Sequence, residues 1–228
     1  DGAIWCGFGT SGQRCTAASR LLVHQRLLPE FQERFAARAQ ALRLGDGLLE
    51  TTDVGPVINQ EAIEKIHAYT EIGLRKGAKL VTGGKRATQG DLANGWFYLP
   101  TMFTGVKPDM RIAQDEIFGP TVAVLSVDSL DEAIAVVNDS SYGLSASIYT
   151  ADVNAAFRAM QSIDTGIVYV NAPPIGAEVH LPFGGTKSTG NGHREAGRAT
   201  LDTFSEWKTL YVDYSGALQR AQIDRAQE

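Results

Sequence analysis

Apolar positions along the chain recur at two different spacings, and the changes of spacing mark its elements. Arg20-Leu21-Leu22-Val23-His24 is a short apolar run and reads as a buried strand. Pro29 opens a helix on which Phe31, Phe35, Ala39 and Leu42 recur at helical spacing, and Gly45 and Gly47 close it. The spacing predicts a second helix over 60–76, with Ile63, Ile66, Tyr69 and Leu74 on or near one face. Gly77 stops that helix, and Lys79-Leu80-Val81 follows as a strand. Residues 83–95 hold four glycines and several polar residues, an exposed loop or hairpin before Trp96-Phe97-Tyr98-Leu99 and Pro100.

From Thr121 the pattern is regular. Thr121 to Val127, Leu144 to Tyr149 and Gly166 to Val170 read as strands. Between them lie two helices, one capped by Ser129 and carrying Ala133, Ile134 and Val137, the other capped by Asp152 and carrying Ala156, Met160 and Ile163. Strands and helices alternating with short turns predict an α/β fold, a largely parallel sheet flanked by helices. In such sheets chemistry gathers at strand ends and their loops. A second glycine-rich stretch runs from Pro182 to Gly197. The last strand candidate, Thr209 to Tyr214, comes too late to join that core easily.

Composition narrows the function classes. The chain has 228 residues, 43% apolar and 21% charged, ordinary values for a globular domain with a real core. The net charge is −5 and the basic residues are scattered, so no footprint for a nucleic-acid backbone is present. Two cysteines, Cys6 and Cys15, do not make a disulfide framework, and a reducing, cytoplasmic compartment is the expectation. No apolar run is long enough to span a membrane, and residues 1–6 do not form a signal peptide. Asn138-Asp139-Ser140 is a glycosylation sequon by chance in such a chain. The first residue is not Met, and Asp1 to Trp5 reads as the middle of an element, so a fragment or truncated frame is expected.

Gly7-Phe8-Gly9-Thr10-Ser11-Gly12 matches the dinucleotide fingerprint literally. That pattern works only after a strand, before a helix and with an acid closing the next strand. Six residues precede it and Glu30 sits at a helix start, so a flexible loop is the better reading. Within the same segment Gly12 permits close backbone approach, and Thr16 to Arg20 is expected to begin a helix directly after Cys15. A helix N-terminus and Arg14 would both favour the thiolate, although a small structural cysteine is the commoner role, and one that suits Cys6.

Phe8, Gly12, Gln13, Cys15 and Ala17 resemble the nucleophile loop of the aldehyde dehydrogenase superfamily. Four further landmarks follow in that family's order: Glu116-Ile117-Phe118-Gly119-Pro120, Tyr142-Gly143-Leu144, Gly166 to Asn171, and Pro182-Phe183-Gly184-Gly185 with Lys187 and Gly190. The resemblance covers Phe8 to Tyr214 and implies a catalytic domain over 1–205, followed by an oligomerisation strand and tail over 206–228. It implies Cys15 as the nucleophile that carries a thiohemiacetal and then a thioester, with NAD or NADP as cofactor. Glu116 would meet the nicotinamide ribose, Phe118 would pack beside the cofactor, and Lys65 would touch the other ribose, although Ala62 stands where the family has a companion glutamine. Asn171 and Phe183 would lie on substrate loops. Ile175-Gly176-Ala177-Glu178 resembles the substrate loop of the aminoadipic semialdehyde branch, which would make Ala177 and Glu178 substrate contacts. A rim acid serving solubility is the alternative for Glu178. His180 and His193 have no partners at metal spacing, so no metal is expected.

Only Asp1 is acidic upstream of Cys15, whereas the family's general base is a glutamate before the nucleophile. The cofactor domain is therefore expected to lie outside this chain, and the chain alone is expected to be inactive. Thr209 to Tyr214 is implied to pair with a neighbour's sheet in a homo-oligomer, or else to pack on its own chain. A cofactor-independent thiol hydrolase and an inactive assembly module are the competing functions.

Overall fold

The structure is a computed structural model that describes residues 1–217; residues 218–228 of the tail lie outside the described residues. In chain order the elements are α1 (Gly2–Phe8), β1 (Arg20–His24), α2 (Leu28–Gln40), α3 (Gln60–Arg75), β2 (Lys79–Thr82) and β3 (Thr101–Thr104). Then come α4 (Arg111–Gln114), β4 (Thr121–Val127), α5 (Leu130–Asn138), β5 (Tyr142–Gly143), β6 (Ser145–Ile148) and α6 (Val153–Ser162). The series ends with β7 (Ile167–Val170), β8 (Thr186–Lys187) and α7 (Thr200–Phe204).

The main sheet has the order β1-β4-β3-β2, with β4 parallel to both of its neighbours and β2 antiparallel to β3. β4 is covered on both faces. Val122 and Val124 join Ile4 and Phe8 of α1 and Phe35 and Ala39 of α2 in one cluster. Ala123 and Leu125 join Ile63 and Ile66 of α3 and Ile112 and Ala113 of α4 in the other. A strand buried on both sides has no polar face to show, which is why Thr121 to Leu125 reads as an unbroken apolar run. Each such side chain stabilises the fold by about 1.5–3 kcal/mol.

The helix starts follow local chemistry. Asn59 Oδ1 accepts the Ala62 N–H at 2.9 Å and Ser129 Oγ accepts that of Glu132 at 3.2 Å. Glu132 returns a carboxylate oxygen to the Asp128 N–H, which completes a reciprocal cap. Asp152 Oδ1 accepts from Asn154 and Ala155.

Three expectations are corrected. The strands after Thr121 do not share one sheet: β6 and β7 form a separate parallel pair, and β5 pairs with β8. β4 has β1 on one edge and β3 on the other, so it has no edge left for β6. No helix follows Cys15. Residues 14–17 form a turn closed by Ala17 N–H to Arg14 O, and Ala18 N–H then bonds Cys6 O, because β1 starts at Arg20 and leaves too little chain for a helix. β1 is an edge strand and only Val23 in it is buried. Residues 205–214 carry no strand pairing within this chain among the described residues and are exposed, Tyr211 to 79% and Tyr214 to 95%. An edge strand built for a neighbour's sheet has no partner within one chain.

Candidate functional site

The loop from Gly9 to Cys15 is held in an unusual shape. Thr10 and Ser11 both lie in the left-handed region (φ 52° and 57°), and Gly12 follows with φ 66°. Any Cβ on Gly12 would overlap the Gly119 carbonyl oxygen, so glycine alone lets the two backbones touch. Gly119 has the same need on its other side, where Ile66 fills the space that a Cβ would take. Two hydrogen bonds fasten the loop: Ser11 Oγ to Gly55 O at 2.7 Å, and Ile58 N–H to Gln13 Oε1 at 3.0 Å. The segment Gly7 to Gly12 is thus the end of a helix and a left-handed turn, not the strand, turn and helix of a dinucleotide fold.

Cys15 leaves this clamp exposed to solvent, whereas Cys6 is buried in α1. Burial pushes the Cys6 thiol up to about 11, and its Sγ donates to the Gly2 carbonyl at 2.8 Å. Since the thiolate is the nucleophile, Cys15 is expected to be alkylated by iodoacetamide well before Cys6. Mass mapping after a brief exposure checks this, and equal labelling of the two would contradict the arrangement.

The turn against which Gly12 rests carries the cofactor candidates. Ile117 is buried in the core and pins the turn, so its neighbours Glu116 and Phe118 point outward. Phe118 adopts φ 58° and remains 41% exposed, an aromatic face open to a ligand. The Glu116 carboxylate is exposed and has no hydrogen-bond partner among the described residues. Lys65 does reach this turn, but as a brace: its Nζ donates to the Glu116 carbonyl at 3.0 Å. A free carboxylate beside an exposed ring fits a ribose and its attached heterocycle, so these residues suit a nicotinamide cofactor.

The substrate candidates divide. Thr16 Oγ1 lies 3.5 Å from the Ile175 carbonyl, which places the loop of Ala177 and Glu178 next to the nucleophile loop. Tyr169 donates its hydroxyl to the Gly176 carbonyl and steadies that loop from β7; burial, then the Glu178 charge, raise the tyrosine's pKa. Ala177, Glu178 and Phe183 line one open groove of about 350 Å³ together with Glu195, Thr200 and Phe204. Asn171 directly follows β7, at the start of the segment that leads to Ile175. Its amide oxygen accepts the Thr150 N–H at 2.8 Å and its amide nitrogen donates to Thr150 O at 2.9 Å, so both ends of the side chain are used to fix the end of β7. Among the described residues no three His, Cys, Asp or Glu side chains are placed to hold a metal ion, and no helix is long and apolar enough to cross a membrane. Glu195 was not singled out by sequence; it pairs with the motif aromatic Phe183.

The sequence model described as the aldehyde dehydrogenase family matches residues 1–210. The chain belongs to the aldehyde dehydrogenase family. Over 212 residues it is 37% identical to the alpha-ketoglutaric semialdehyde dehydrogenase of Bacillus subtilis, covering 93% of this chain and 43% of that protein. The alpha-ketoglutarate semialdehyde dehydrogenase of Haloferax volcanii is 44% identical over 91% of this chain and 43% of its own length. Among solved structures, an NAD-dependent aldehyde dehydrogenase from Sinorhizobium meliloti superposes with a TM-score of 0.91 at 35% identity, over 96% of this chain and 43% of that one. The betaine aldehyde dehydrogenase of Staphylococcus aureus, solved in complex with NAD+, gives 0.86 at 35% identity, over 90% of this chain and 40% of that one. The chain therefore spans less than half the length of the relatives it matches.

Proposed function

We propose that this aldehyde dehydrogenase chain supplies the nucleophile and the nicotinamide-facing turn for oxidation of an aldehyde to a carboxylate. The observation that carries this reading is the exposed Cys15 on a loop locked by Gly12 against the Glu116–Pro120 turn. The Cys15 thiolate adds to the aldehyde carbon, and the carbonyl oxygen takes the negative charge. Backbone N–H groups of the loop can stabilise that oxyanion. Loss of hydride from the same carbon leaves a thioester on Cys15. Water then adds, the carbon–sulfur bond breaks, and carboxylate, thiolate and protons result. When bound, NAD or NADP supplies the hydride acceptor, with Glu116 and Phe118 as the residues that would hold it. Ala177, Glu178 and Phe183 are the substrate-side residues, and the semialdehyde and betaine aldehyde names of the relatives point to small polar aldehydes as the class to try.

The test is acid-quench mass spectrometry after mixing the protein with aldehyde and NAD+. An acyl group on the Cys15 peptide that forms only when NAD+ is present supports the reading. Acylation from an activated ester with no turnover of aldehydes would favour a thiol hydrolase instead.

Residues 1–205 form the catalytic domain in this reading, and 206–228 the oligomerisation strand, Thr209 to Tyr214, and tail of a cytoplasmic homo-oligomer. The exposed Trp207, Leu210 and Val212 support it, since apolar side chains this exposed seldom stay bare on a soluble protein. Val212→Pro removes a ladder donor and is expected to lower the assembly state by light scattering. An unchanged particle mass would move the interface away from this strand.

A further inference from the structure

The C-terminal end of α5 satisfies only part of its last carbonyls locally: Ala135 O accepts the Asp139 N–H and Asn138 O accepts the Ser140 N–H at 2.9 Å, which leaves Val136 O and Val137 O to donors from elsewhere. It has no basic residue in its last turn, and its C-cap is Asp139 at φ −78° and ψ 70°, with no left-handed glycine. Such an end leaves acceptors that must find donors elsewhere, and cations are favoured there by the helix dipole. Donors arrive from three separate places. Arg20 gives Nη1 to Val136 O at 3.0 Å and Nη2 to Val137 O at 3.1 Å. Lys187 gives Nζ to Asn138 O at 2.7 Å. Gln114 gives Nε2 to Asp139 O at 3.0 Å and to Pro108 O at 2.7 Å.

Each donor belongs to a different part of the site. Arg20 follows Cys15 at the base of the nucleophile loop, Gln114 precedes Glu116 at the end of α4, and Lys187 follows Phe183 in β8. Lys187 sits at φ 51° and also faces Asp164 at 3.6 Å, while the Asn138 side chain bonds Ser162 O and Asp164 N–H at 2.8 Å each. Burial tends to lower the Arg20 pKa, but two carbonyls and the Asp139 charge favour its cationic form.

We propose that the C-terminal end of α5 is the common anchor of the nucleophile, cofactor and substrate loops, with Arg20, Gln114 and Lys187 as positioning residues. The inference rests on the proposed dehydrogenase function for its kinetic part only. Because the three donors hold different loops, their loss acts on different steps. A shift of about 1 Å at a reacting group costs up to roughly 100-fold.

The test uses Gln114→Glu, Lys187→Met, Lys187→Arg and Arg20→Lys, each made in a full-length enzyme that carries this chain and checked by melting temperature. Gln114→Glu, which keeps the shape and loses the donor, is expected to weaken NAD+ binding about tenfold in an equilibrium titration while leaving the aldehyde KM unchanged. Lys187→Met is expected to raise the aldehyde KM about tenfold with NAD+ binding unchanged, and Lys187→Arg to recover most of that loss. Arg20→Lys, with one donor group for two carbonyls, is expected to change the iodoacetamide rate of Cys15 at least fivefold and leave Cys6 alone. Uniform loss of active protein, or Lys187→Arg no better than Lys187→Met, would overturn the anchor. Should Lys187→Met not fold, Lys187→Gln, a neutral donor, must raise the aldehyde KM more than Lys187→Arg does or the proposal is wrong. Wild-type protein that oxidises no aldehyde would sink the dehydrogenase reading, while the NAD+ titration and the Cys15 labelling would still decide the anchor.

Discussion

In a full-length enzyme that carries this chain, Cys15→Ala is expected to lower NAD-dependent aldehyde oxidation by a factor on the order of 10⁴–10⁶, the scale on which losing a covalent nucleophile acts. Cys6→Ala, its control, is expected to retain full turnover, because the Cys6 thiol is buried and spends its hydrogen on the Gly2 carbonyl. NADH formation by the two variants and the parent protein is the measurement. Comparable rates in Cys15→Ala and wild type would remove Cys15 from the chemistry altogether.

Gly12→Ala carries the second large effect. The left-handed conformation costs a non-glycine residue about 1–2 kcal/mol, and the new methyl would in addition push against the Gly119 main chain. That collision transmits the change to the turn of Glu116 and Phe118, so both the thiol and the cofactor face should move. The expected result is a lower melting temperature together with a turnover loss of about 100-fold. Gly47→Ala is a suitable control, since a Cβ there would meet nothing. A Gly12→Ala enzyme with native stability and turnover would show that the loop does not depend on this contact.

Much of the framework was legible in the residues. The helical spacing of Phe31, Phe35 and Ala39 and the caps Ser129 and Asp152 act within a few residues of themselves, and the structure has them as expected. What escaped was decided at long range. β3 follows Pro100 with Thr101 to Thr104 all buried, yet a run so short and half threonine carries no periodic signal. The split between the main sheet and the β6–β7 pair depends on which edges of β4 are taken, and strand spacing does not encode that.

In the site, the motif order located the loops, and their geometry came only with the structure. Thr10, Ser11, Phe118, Asn171, Lys187 and Ala196 all sit at positive φ without being glycine. None of them breaks a pattern in the sequence, because the surrounding packing imposes the conformation. Thr10, Ser11, Phe118 and Ala196 lie in turns and loops around the site, Asn171 directly after β7, and Lys187 in β8. The expected helix after Cys15 failed for the opposite reason: local propensity was adequate, and the pairing of β1 with β4 overrode it.

That pairing also sets the order in which the protein can be built. Arg20 is in register with Ala123, and His24 with Val127. Closing so long a loop is entropically unfavourable until something already stands at the far end. β2, β3 and β4 are much closer neighbours along the chain and can assemble first on α3. β1 is then the late arrival, and the thiol loop just ahead of it is fastened later still, although the ribosome makes it before β2, β3 and β4. In pulsed hydrogen exchange during refolding, the amides of Leu21 to His24 should gain protection after those of Met102 and Phe103. The reactive sulfur would thus be exposed on an unfinished chain for longer than any other part of its site.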